Sequence, residues 1–204
     1  MAETRDRLIT ATAELFRRHG YNGTGLKQIT TAADAPTGSL YHHFPGGKDE
    51  LTAVVLATSG AAYRELLEAI WDAAPDAHQA LGDFFDGAAE VLEATDFIDP
   101  CPIGTVAREV ASTNEPLRAA SGAVFESWFD AARVRLLAAG LSEVAAEEFA
   151  ITLVSAIEGG FLLARTSRST KALRATGRHM QTMLAALLMV AAAERPSLSQ
   201  PSTE

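Results

Sequence analysis

TGLKQITTAADAPTGSLYHHFPGGKDEL, residues 24–51, is the stretch that decides the fold of this chain. Leu26, Ile29 and Ala33 recur at spacings of three and four residues, which is typical of a helix with one apolar face. Thr24 precedes this run, and a threonine hydroxyl can accept a hydrogen bond from a free backbone N–H of the first turn. The pattern predicts a short helix that begins at Thr24 and packs its apolar face inward.

A proline-containing turn separates this helix from a second one. Pro36 disfavours helical geometry at Ala35 and lacks the N–H that a continuing helix would use. A second helix is predicted over residues 37–44, with Leu40 and Phe44 anchoring its inner face. Two short helices joined by a tight turn, with a third starting at once, form the layout of a helix-turn-helix unit.

The outer face of the second helix carries small, hydroxyl-bearing and aromatic side chains that suit contact with DNA. Lys48 opens the next helix, where its ammonium and the helix dipole can hold a phosphate together. The candidate DNA-contacting residues are Thr24, Lys27, Pro36, Thr37, Gly38, Ser39, Tyr41, His42 and Lys48. The residues alone leave open a helical hairpin whose polar side chains only face water.

Together with ATAELFRRHGYNGT at residues 11–24, the stretch resembles the N-terminal domain of the TetR family of bacterial transcriptional regulators. PGGK at residues 45–48 and CPIG at residues 101–104 are similar to the LmrA/YxaF-like branch of that family. The chain departs from the family at Asp34, where glycine is usual, and at Thr37, where a basic residue is frequent. The matching positions are Ala13, Leu15, Phe16, Gly20, Tyr21, Thr24, Ile29, Ala33, Gly38, Leu40, Tyr41, Phe44, Lys48 and Leu51.

Charge is distributed unevenly along the 204 residues, whose formal net charge is -9. Residues 1–55 hold six basic and six acidic side chains, so the proposed DNA-binding part is neutral. The remaining 11 basic and 20 acidic side chains supply the whole negative charge, away from the proposed DNA face. The acidic balance is therefore compatible with a nucleic-acid partner, and two copies of the chain would strengthen its binding.

The composition points away from several other classes of protein. One cysteine, Cys101, leaves no internal disulfide and no cysteine-based zinc set, and the scattered histidines indicate no metal site or cofactor. No phosphate-binding glycine loop, His-Glu-x-x-His motif or nucleophile elbow occurs, so the chain is not expected to be an enzyme. No signal peptide is seen and no apolar run approaches the roughly 18 residues of a membrane span, so a cytoplasmic protein without membrane contact is expected.

Helical periodicity continues to the end of the chain, and an all-α fold is predicted. Further helices are expected over residues 4–19, 48–73, 76–94, 106–111, 113–139, 142–166 and 170–194, with no clear periodicity over 95–104. The predicted domains are a helix-turn-helix DNA-binding domain at 1–50, a larger helical ligand-binding and dimerisation domain at 51–195, and a disordered tail at 196–204.

Two further sites are predicted in the second domain. Its aromatic side chains suggest a cavity for a flat or apolar effector, with Phe84, Phe85, Ala88, Phe97, Cys101, Phe125, Trp128, Phe129 and Phe161 as candidates, although aromatics at helical spacing also form ordinary cores. The last two helices are apolar on more than one face, which indicates a four-helix interface between two copies. The candidate interface residues are Ile157, Gly160, Met180, Leu184, Leu187 and Leu188; a wholly intramolecular core is the alternative.

These features favour a ligand-responsive repressor that binds a palindromic DNA operator as a homodimer. By resemblance, a small hydrophobic or aromatic effector would release it from DNA. Cys101 offers a redox trigger as an alternative to an effector, although a lone cysteine in an apolar helical protein is usually inert packing. An enzyme and a helical ligand carrier or adaptor are the rival classes, and the carrier leaves the polar second helix without a use.

Overall fold

The computed structural model describes residues 2–98 and 101–194, and every regular element in this part of the chain is an α-helix. The predicted all-α fold is thus confirmed, whereas the predicted tail at 196–204 lies outside the described residues. The helices are α1 (Ala2–His19), α2 (Leu26–Ala32), α3 (Thr37–His43), α4 (Gly47–Ala73), α5 (Ala77–Ala94), α6 (Pro102–Val110), α7 (Glu115–Ala139), α8 (Glu143–Ser167) and α9 (Lys171–Glu194).

Local sequence signals explain most of the helix boundaries. Asn114 and Ser142 begin α7 and α8, because their side chains accept hydrogen bonds from Leu117 N–H (3.2 Å) and Ala145 N–H (3.3 Å). Gly140 ends α7 in a left-handed conformation with φ 112°, which glycine adopts without a steric penalty. These boundaries agree with those predicted from the sequence to within a residue or two.

Two local predictions were wrong. Thr24 does not cap α2, because its hydroxyl is buried and donates to the Gly20 carbonyl at 2.7 Å; Gly25 is the N-cap, and its N–H donates to Gln28 Oε1 at 2.7 Å. Helix α6 begins at Pro102, four residues before the predicted resumption of helical pattern. Proline fits the first helical position, where its missing N–H would have no helical partner.

Helices α1 to α3 form a compact head whose core also includes the start of α4. Leu8, Phe16, Ile29, Leu40 and Leu51 meet there with no exposed surface. The predicted boundary between residues 50 and 51 falls inside α4, so this 27-residue helix belongs to both predicted domains. Such a helix is about 40 Å long and runs continuously from the head into the rest of the molecule.

The larger part of the molecule is a helical body in which α5, α7, α8 and α9 share a second core. Helix α9 packs against α5 and α8, and α7 packs against α4 and α8. Gly177 of α9 lies directly on Phe85 of α5, because a Cβ at Gly177 would be 2.7 Å from the Phe85 Cβ. Gly160 of α8 is likewise covered by Leu173 of α9, so both glycines serve contacts within one chain.

Candidate DNA-binding surface and effector cavity

Helix α3 presents its polar residues outward because Leu40 and Phe44, the residue that follows the helix, are buried. Leu40 and Phe44 are 0% and 1% exposed and lie in the core of the head. Their burial fixes the rotation of the helix, so that Thr37, Tyr41 and His42 are exposed on its outer side. The second helix of the pair therefore offers a polar surface that can enter a DNA groove.

The turn between α2 and α3 keeps the geometry of a helix-turn-helix although Asp34 stands where the TetR family usually has glycine. Asp34 adopts a left-handed conformation with φ 47°, which aspartate tolerates better than most residues. The Asp34 carbonyl accepts a hydrogen bond from Arg7 Nη2 at 3.0 Å, and Ala35 N–H donates to the Thr30 carbonyl at 2.9 Å. The departure from the family pattern thus leaves the turn closed.

The candidate DNA-contacting residues other than Lys48 differ in exposure. Those exposed on the outer surface of the head are Lys27, Pro36, Thr37, Gly38, Tyr41 and His42. Ser39 is half-buried, and nothing lies within 4 Å of the position that a Cβ would take at Gly38. Thr24 is 1% exposed and is withdrawn as a contact residue, because its hydroxyl faces the interior.

Lys48 is half-buried, and its ammonium is engaged by the protein rather than free in solvent. Its Nζ donates to the Tyr21 carbonyl at 2.6 Å and lies 3.9 Å from the centre of the Tyr21 ring. Partial burial lowers the pKa of Lys48, although the negative charges of Asp49 and Glu109 act in the opposite direction. A phosphate contact by the ammonium would share the group with Tyr21, so Lys27 is the more accessible basic residue of this surface.

The head is fastened to the body by polar contacts on one side. Glu109, at the end of α6, accepts a hydrogen bond from Asn22 N–H at 2.6 Å. Asp49 accepts hydrogen bonds from the Tyr21 hydroxyl at 2.5 Å and from Asn114 Nδ2 at 2.8 Å. These contacts join the α1–α2 turn and α4 to the two helices α6 and α7.

The body contains an apolar cavity of about 200 Å³ between α4, α5, α7 and α8. Trp128 is fixed in its wall because the indole N–H donates to the Gly60 carbonyl at 2.9 Å. The residues around the cavity are Tyr63, Leu66, Leu67, Ile70, Phe84, Gly87, Ala88, Val91, Cys101, Trp128, Leu153, Val154, Ile157, Glu158 and Phe161.

Five of the nine residues predicted for an effector pocket line this cavity, namely Phe84, Ala88, Cys101, Trp128 and Phe161. The other four do not, because each is engaged elsewhere. Phe85 is buried beneath Gly177, and Phe97 lies under the Arg168 guanidinium. Phe125 packs edge-on against Trp128 at 5.5 Å between ring centres, and Phe129 lines a separate polar groove with Arg133.

Sequence reasoning missed two parts of the cavity wall. Helix α4 contributes Tyr63 and Ile70, which the sequence does not separate from ordinary core positions. Glu158 was also missed, although an acidic residue within the apolar stretch of α8 was a usable signal.

Cys101 lies in the cavity wall as a buried thiol and not as a reactive thiolate. Burial raises its pKa well above the ordinary value, and the neighbouring Glu158 carboxyl acts in the same direction. Redox-sensitive cysteines are accessible and have lowered pKa values, because the thiolate is the reactive form. The environment of Cys101 therefore disfavours the redox trigger.

Four of the six residues predicted for a dimer interface lie inside the protomer. Ile157, Gly160, Met180 and Leu184 are buried against helices of their own chain, and Ile157 also lines the cavity. These four assignments are corrected, because residues that are buried and packed against their own chain offer almost no surface to a second copy. Leu187 and Leu188 are half-buried beside the second core and stay candidates.

A different face of α8 and α9 is apolar and exposed. On α9 it includes Met183 and Val190, which lie seven residues apart on the same side of the helix and are 37% and 55% exposed. The exposed large apolar residues of the two helices, which we call together the outer apolar face, are Val144, Ile151, Leu162, Leu163, Met183, Met189 and Val190. Helix α8 is also apolar and long enough to cross a membrane by length and composition, a test that a core helix of a globular protein also passes.

Comparison with known proteins agrees with this architecture. Residues 8–55 match the model of the N-terminal domain of bacterial regulatory proteins of the TetR family. Residues 77–179 match the model of the C-terminal domain of LmrA/YxaF-like transcriptional regulators. The fold and the exposed second helix thus define a DNA-binding helix-turn-helix transcriptional regulator.

Individual relatives narrow the class. The chain is 34% identical over 166 residues to the uncharacterized HTH-type transcriptional regulator YxaF of Bacillus subtilis, which covers 81% of this chain and 87% of YxaF. It is 32% identical to the HTH-type transcriptional regulator LmrA of the same organism, over 82% of this chain and 89% of LmrA. The chain belongs to the TetR family, in its LmrA/YxaF-like branch.

Solved structures share the fold at lower identity. A TetR transcriptional regulator from Chloroflexus aurantiacus superposes with a TM-score of 0.76 at 27% identity, covering 90% of this chain and 95% of the other. A TetR regulator from Legionella pneumophila gives a TM-score of 0.77 at 23% identity, with 87% and 95% covered, and shows the fold alone.

Proposed function

We propose that this regulator is a cytoplasmic repressor that binds a palindromic operator as a homodimer and is released by a small hydrophobic or aromatic effector in the apolar cavity. The observation that carries the proposal is the course of α4. This helix holds Lys48 beside the DNA-binding surface and lines the cavity with Tyr63 and Ile70. The proposal assigns no catalysis to the cavity, since the relatives that the chain matches are transcriptional regulators.

DNA binding through α3 is supported by the exposure of its polar residues. Thr37 and His42 lie on the outer surface of the head, where side chains can reach base edges in a major groove. Gly38 adds no side chain, which lets the backbone approach a phosphate strand. We assign base reading to Thr37, Ser39 and His42, and phosphate contact to Lys27 and Tyr41.

Dimerisation is supported by the outer apolar face. Exposed apolar patches of this kind mark interaction surfaces, because leaving them in water costs free energy. Both helices of the face lie side by side in one copy, so two copies would form a four-helix interface. In a dimer, two heads bind the two half-sites of one palindrome. This raises the affinity for DNA although each head carries no net charge.

Release from DNA is supported by two connections between the cavity and the head. Helix α4 begins at the head and lines the cavity along its second half. Helix α6 has Cys101 in the cavity wall at one end and Glu109 on Asn22 at the other. An effector releases DNA only by favouring a conformation whose two heads no longer match the half-site spacing, and both helices can transmit that change.

The operator is found by sequencing genomic fragments that the protein retains, and binding is then measured by fluorescence anisotropy. We expect a palindromic fragment to bind much more tightly than a single half-site, and His42→Ala to lose about 1–3 kcal/mol of discrimination against scrambled DNA. Equal affinity for the half-site and the palindrome would contradict the dimeric mode. An unchanged discrimination ratio for Thr37→Ala and His42→Ala would show that α3 does not read sequence.

The dimer interface is tested with two matched substitutions. Val190 in the outer apolar face and Val134 on α7 are the same residue type with the same 55% exposure. Val190→Glu should weaken dimerisation on the order of a hundredfold, because it would bury an unpaired charge between the copies. Val134→Glu should not change the dimer. Sedimentation that shows equal association for both variants would exclude this face.

A further inference from the structure

One acidic side chain, Glu158, lies in the otherwise apolar wall of the cavity. It is the only charged residue among the lining residues that the structure describes. Loss of hydration raises the pKa of its carboxyl, as expected for a charge placed among apolar groups. A carboxyl in such a place is costly, so its position calls for a physical explanation.

The protein itself provides only partial compensation for this carboxyl. Glu158 lies over the first turn of α6, where Gly104 leaves room for it, because a Cβ at Gly104 would overlap the carboxylate. The neighbouring thiol of Cys101 and the charge of Arg108 both favour the ionised form of the carboxyl and so lower its pKa against the effect of burial. A thiol is a weak donor. Among the ion pairs of residues 2–98 and 101–194, none includes Glu158.

Aromatic rings surround the same space. Tyr63, Phe84, Trp128 and Phe161 all line the cavity, and the rings of Tyr63 and Trp128 lie 6.0 Å apart. The faces of aromatic rings are electron-rich and attract a cation that lies within about 6 Å. A carboxylate and several rings around one small cavity therefore favour the same kind of ligand group, which is a positive charge on an apolar molecule.

The charge of the whole molecule acts in the same direction. The part of the chain after residue 55 carries 11 basic and 20 acidic side chains, so the body that contains the cavity is strongly negative. Such a field concentrates cations at the surface and repels anions. An anionic aromatic ligand would meet both this field and the carboxylate of Glu158.

We infer that the effector is an apolar, preferably aromatic molecule with one positively charged nitrogen, and that this nitrogen binds the carboxylate of Glu158 among the cavity rings. The inference rests on the proposed function, in which this cavity holds the effector. Charge-assisted hydrogen bonds are stronger than neutral ones, so a cation gains more from Glu158 than a hydroxyl does.

The test uses three naphthalene derivatives of nearly equal shape, which carry an aminomethyl, a hydroxymethyl or an ethyl group at the same ring position. Their affinities for the full chain are measured by calorimetry at neutral pH, where the amine is protonated. We expect the ammonium probe to bind at least about tenfold more tightly than the ethyl probe. Glu158→Gln should abolish this preference and leave the ethyl probe unaffected or better bound.

Glu65→Gln serves as the control, because it removes one negative charge from an exposed position on α4. It should retain the preference of the wild-type protein. Equal binding of all three probes, or a preference that survives Glu158→Gln, would overturn the inference. A hydroxymethyl probe that binds as tightly as the ammonium probe would overturn it too, since Glu158 would then recognise a neutral donor.

Operator release by the same probes separates this inference from the proposed function. If neutral probes bind and release the operator as well as the ammonium probe does, the cavity is an effector site and only the ligand class is wrong. If no probe binds at millimolar concentration and none affects operator binding, both the proposal that this cavity holds the effector and the inference about its charge are wrong.

Discussion

Replacing Gly87 with alanine should stabilise the protein, whereas the same change at Gly177 should destabilise it. Both glycines lie inside helices, α5 and α9 respectively. Alanine is favoured over glycine in a helix by about 1 kcal/mol, so this contribution is the same at both positions. The difference between the two variants must come from what the added methyl group meets.

The surroundings of the two positions are opposite. Gly87 faces the cavity, and nothing lies within 4 Å of the position that its Cβ would take. A Cβ at Gly177 would lie 2.7 Å from the Cβ and 3.0 Å from the Cγ of Phe85, which is 1% exposed and has no room to move. Overpacking of this kind costs about 1–3 kcal/mol. The expected changes are a gain of about 1 kcal/mol for Gly87→Ala and a loss of up to about 2 kcal/mol for Gly177→Ala.

Urea unfolding at one fixed protein concentration measures the free energies, because the stability of the proposed dimer would depend on protein concentration. Thermal unfolding should shift by about 2–4 °C per kcal/mol for a chain of this size. Gly87→Ala should keep wild-type operator affinity without effector, and the larger Ala88→Trp should impair effector response while also keeping operator affinity. A destabilised Gly87→Ala would refute the reasoning, since it would mean that the space beside α5 is filled in solution.

The remaining predictions concern the head and the thiol. Lys27→Ala should reduce the slope of log affinity for the operator against log salt concentration by about one unit, because the variant neutralises one phosphate fewer. The control Lys171→Ala on α9 should leave this slope unchanged. Partial burial and the carboxylate of Asp49 raise the pKa of Tyr21 from 10.0 to about 12. Tyr21→Phe should therefore have a lower free energy of unfolding than the wild type below pH 10.0, and this difference should disappear as the pH rises towards about 12. Urea unfolding at each pH measures the difference, and a difference that does not depend on pH would contradict the prediction. Cys101→Ser should still be released from the operator by a non-oxidising effector, although the concentration needed can change because Cys101 lines the cavity beside Glu158. Operator release that requires oxidation and vanishes in this variant would favour the redox trigger.

The helices and their ends were predictable because the signals are local. Ser142 and Asn114 cap helices through hydrogen bonds to residues three positions away, and Gly140 ends a helix through its own backbone conformation. The early start of α6 was missed because a short helix that begins at a proline shows little periodicity before its second turn. The polar face of α3 was predictable for a similar reason, since Leu40 and Phe44 lie four residues apart on its inner side.

The partner of each apolar face was not predictable in the same way. Met183 and Leu184 are neighbours on α9 and are both apolar, yet Leu184 is 0% and Met183 37% exposed. Which stripe faces the chain's own core depends on the rotation of α9 against α5, and the burial of Leu184 together with the contact of Gly177 with Phe85 reveals it. A glycine within the inner stripe is the sequence signal of close helix packing that could have decided between the two.

The apolar cavity shows the same limit. Phe84 lines the cavity and Phe85 lies in the core, although the two are adjacent in the sequence. Aromatic content alone cannot separate the two environments, because both are apolar. Glu158 is different, since an acidic residue among the apolar residues of α8 already stands out in the sequence as a costly placement.

The contact between Glu109 and the head has a consequence for how this protein can evolve. Glu109 accepts a hydrogen bond from the backbone N–H of Asn22 and not from its side chain, so this contact requires only that residue 22 is not proline. Gly20 is constrained twice, because its φ of 71° favours glycine and a Cβ there would overlap the carboxylate of Glu109. In proteins related to this one, substitutions at positions 22 and 109 therefore need not occur together. A search for correlated substitutions would miss the hydrogen bond that joins α6 to the head.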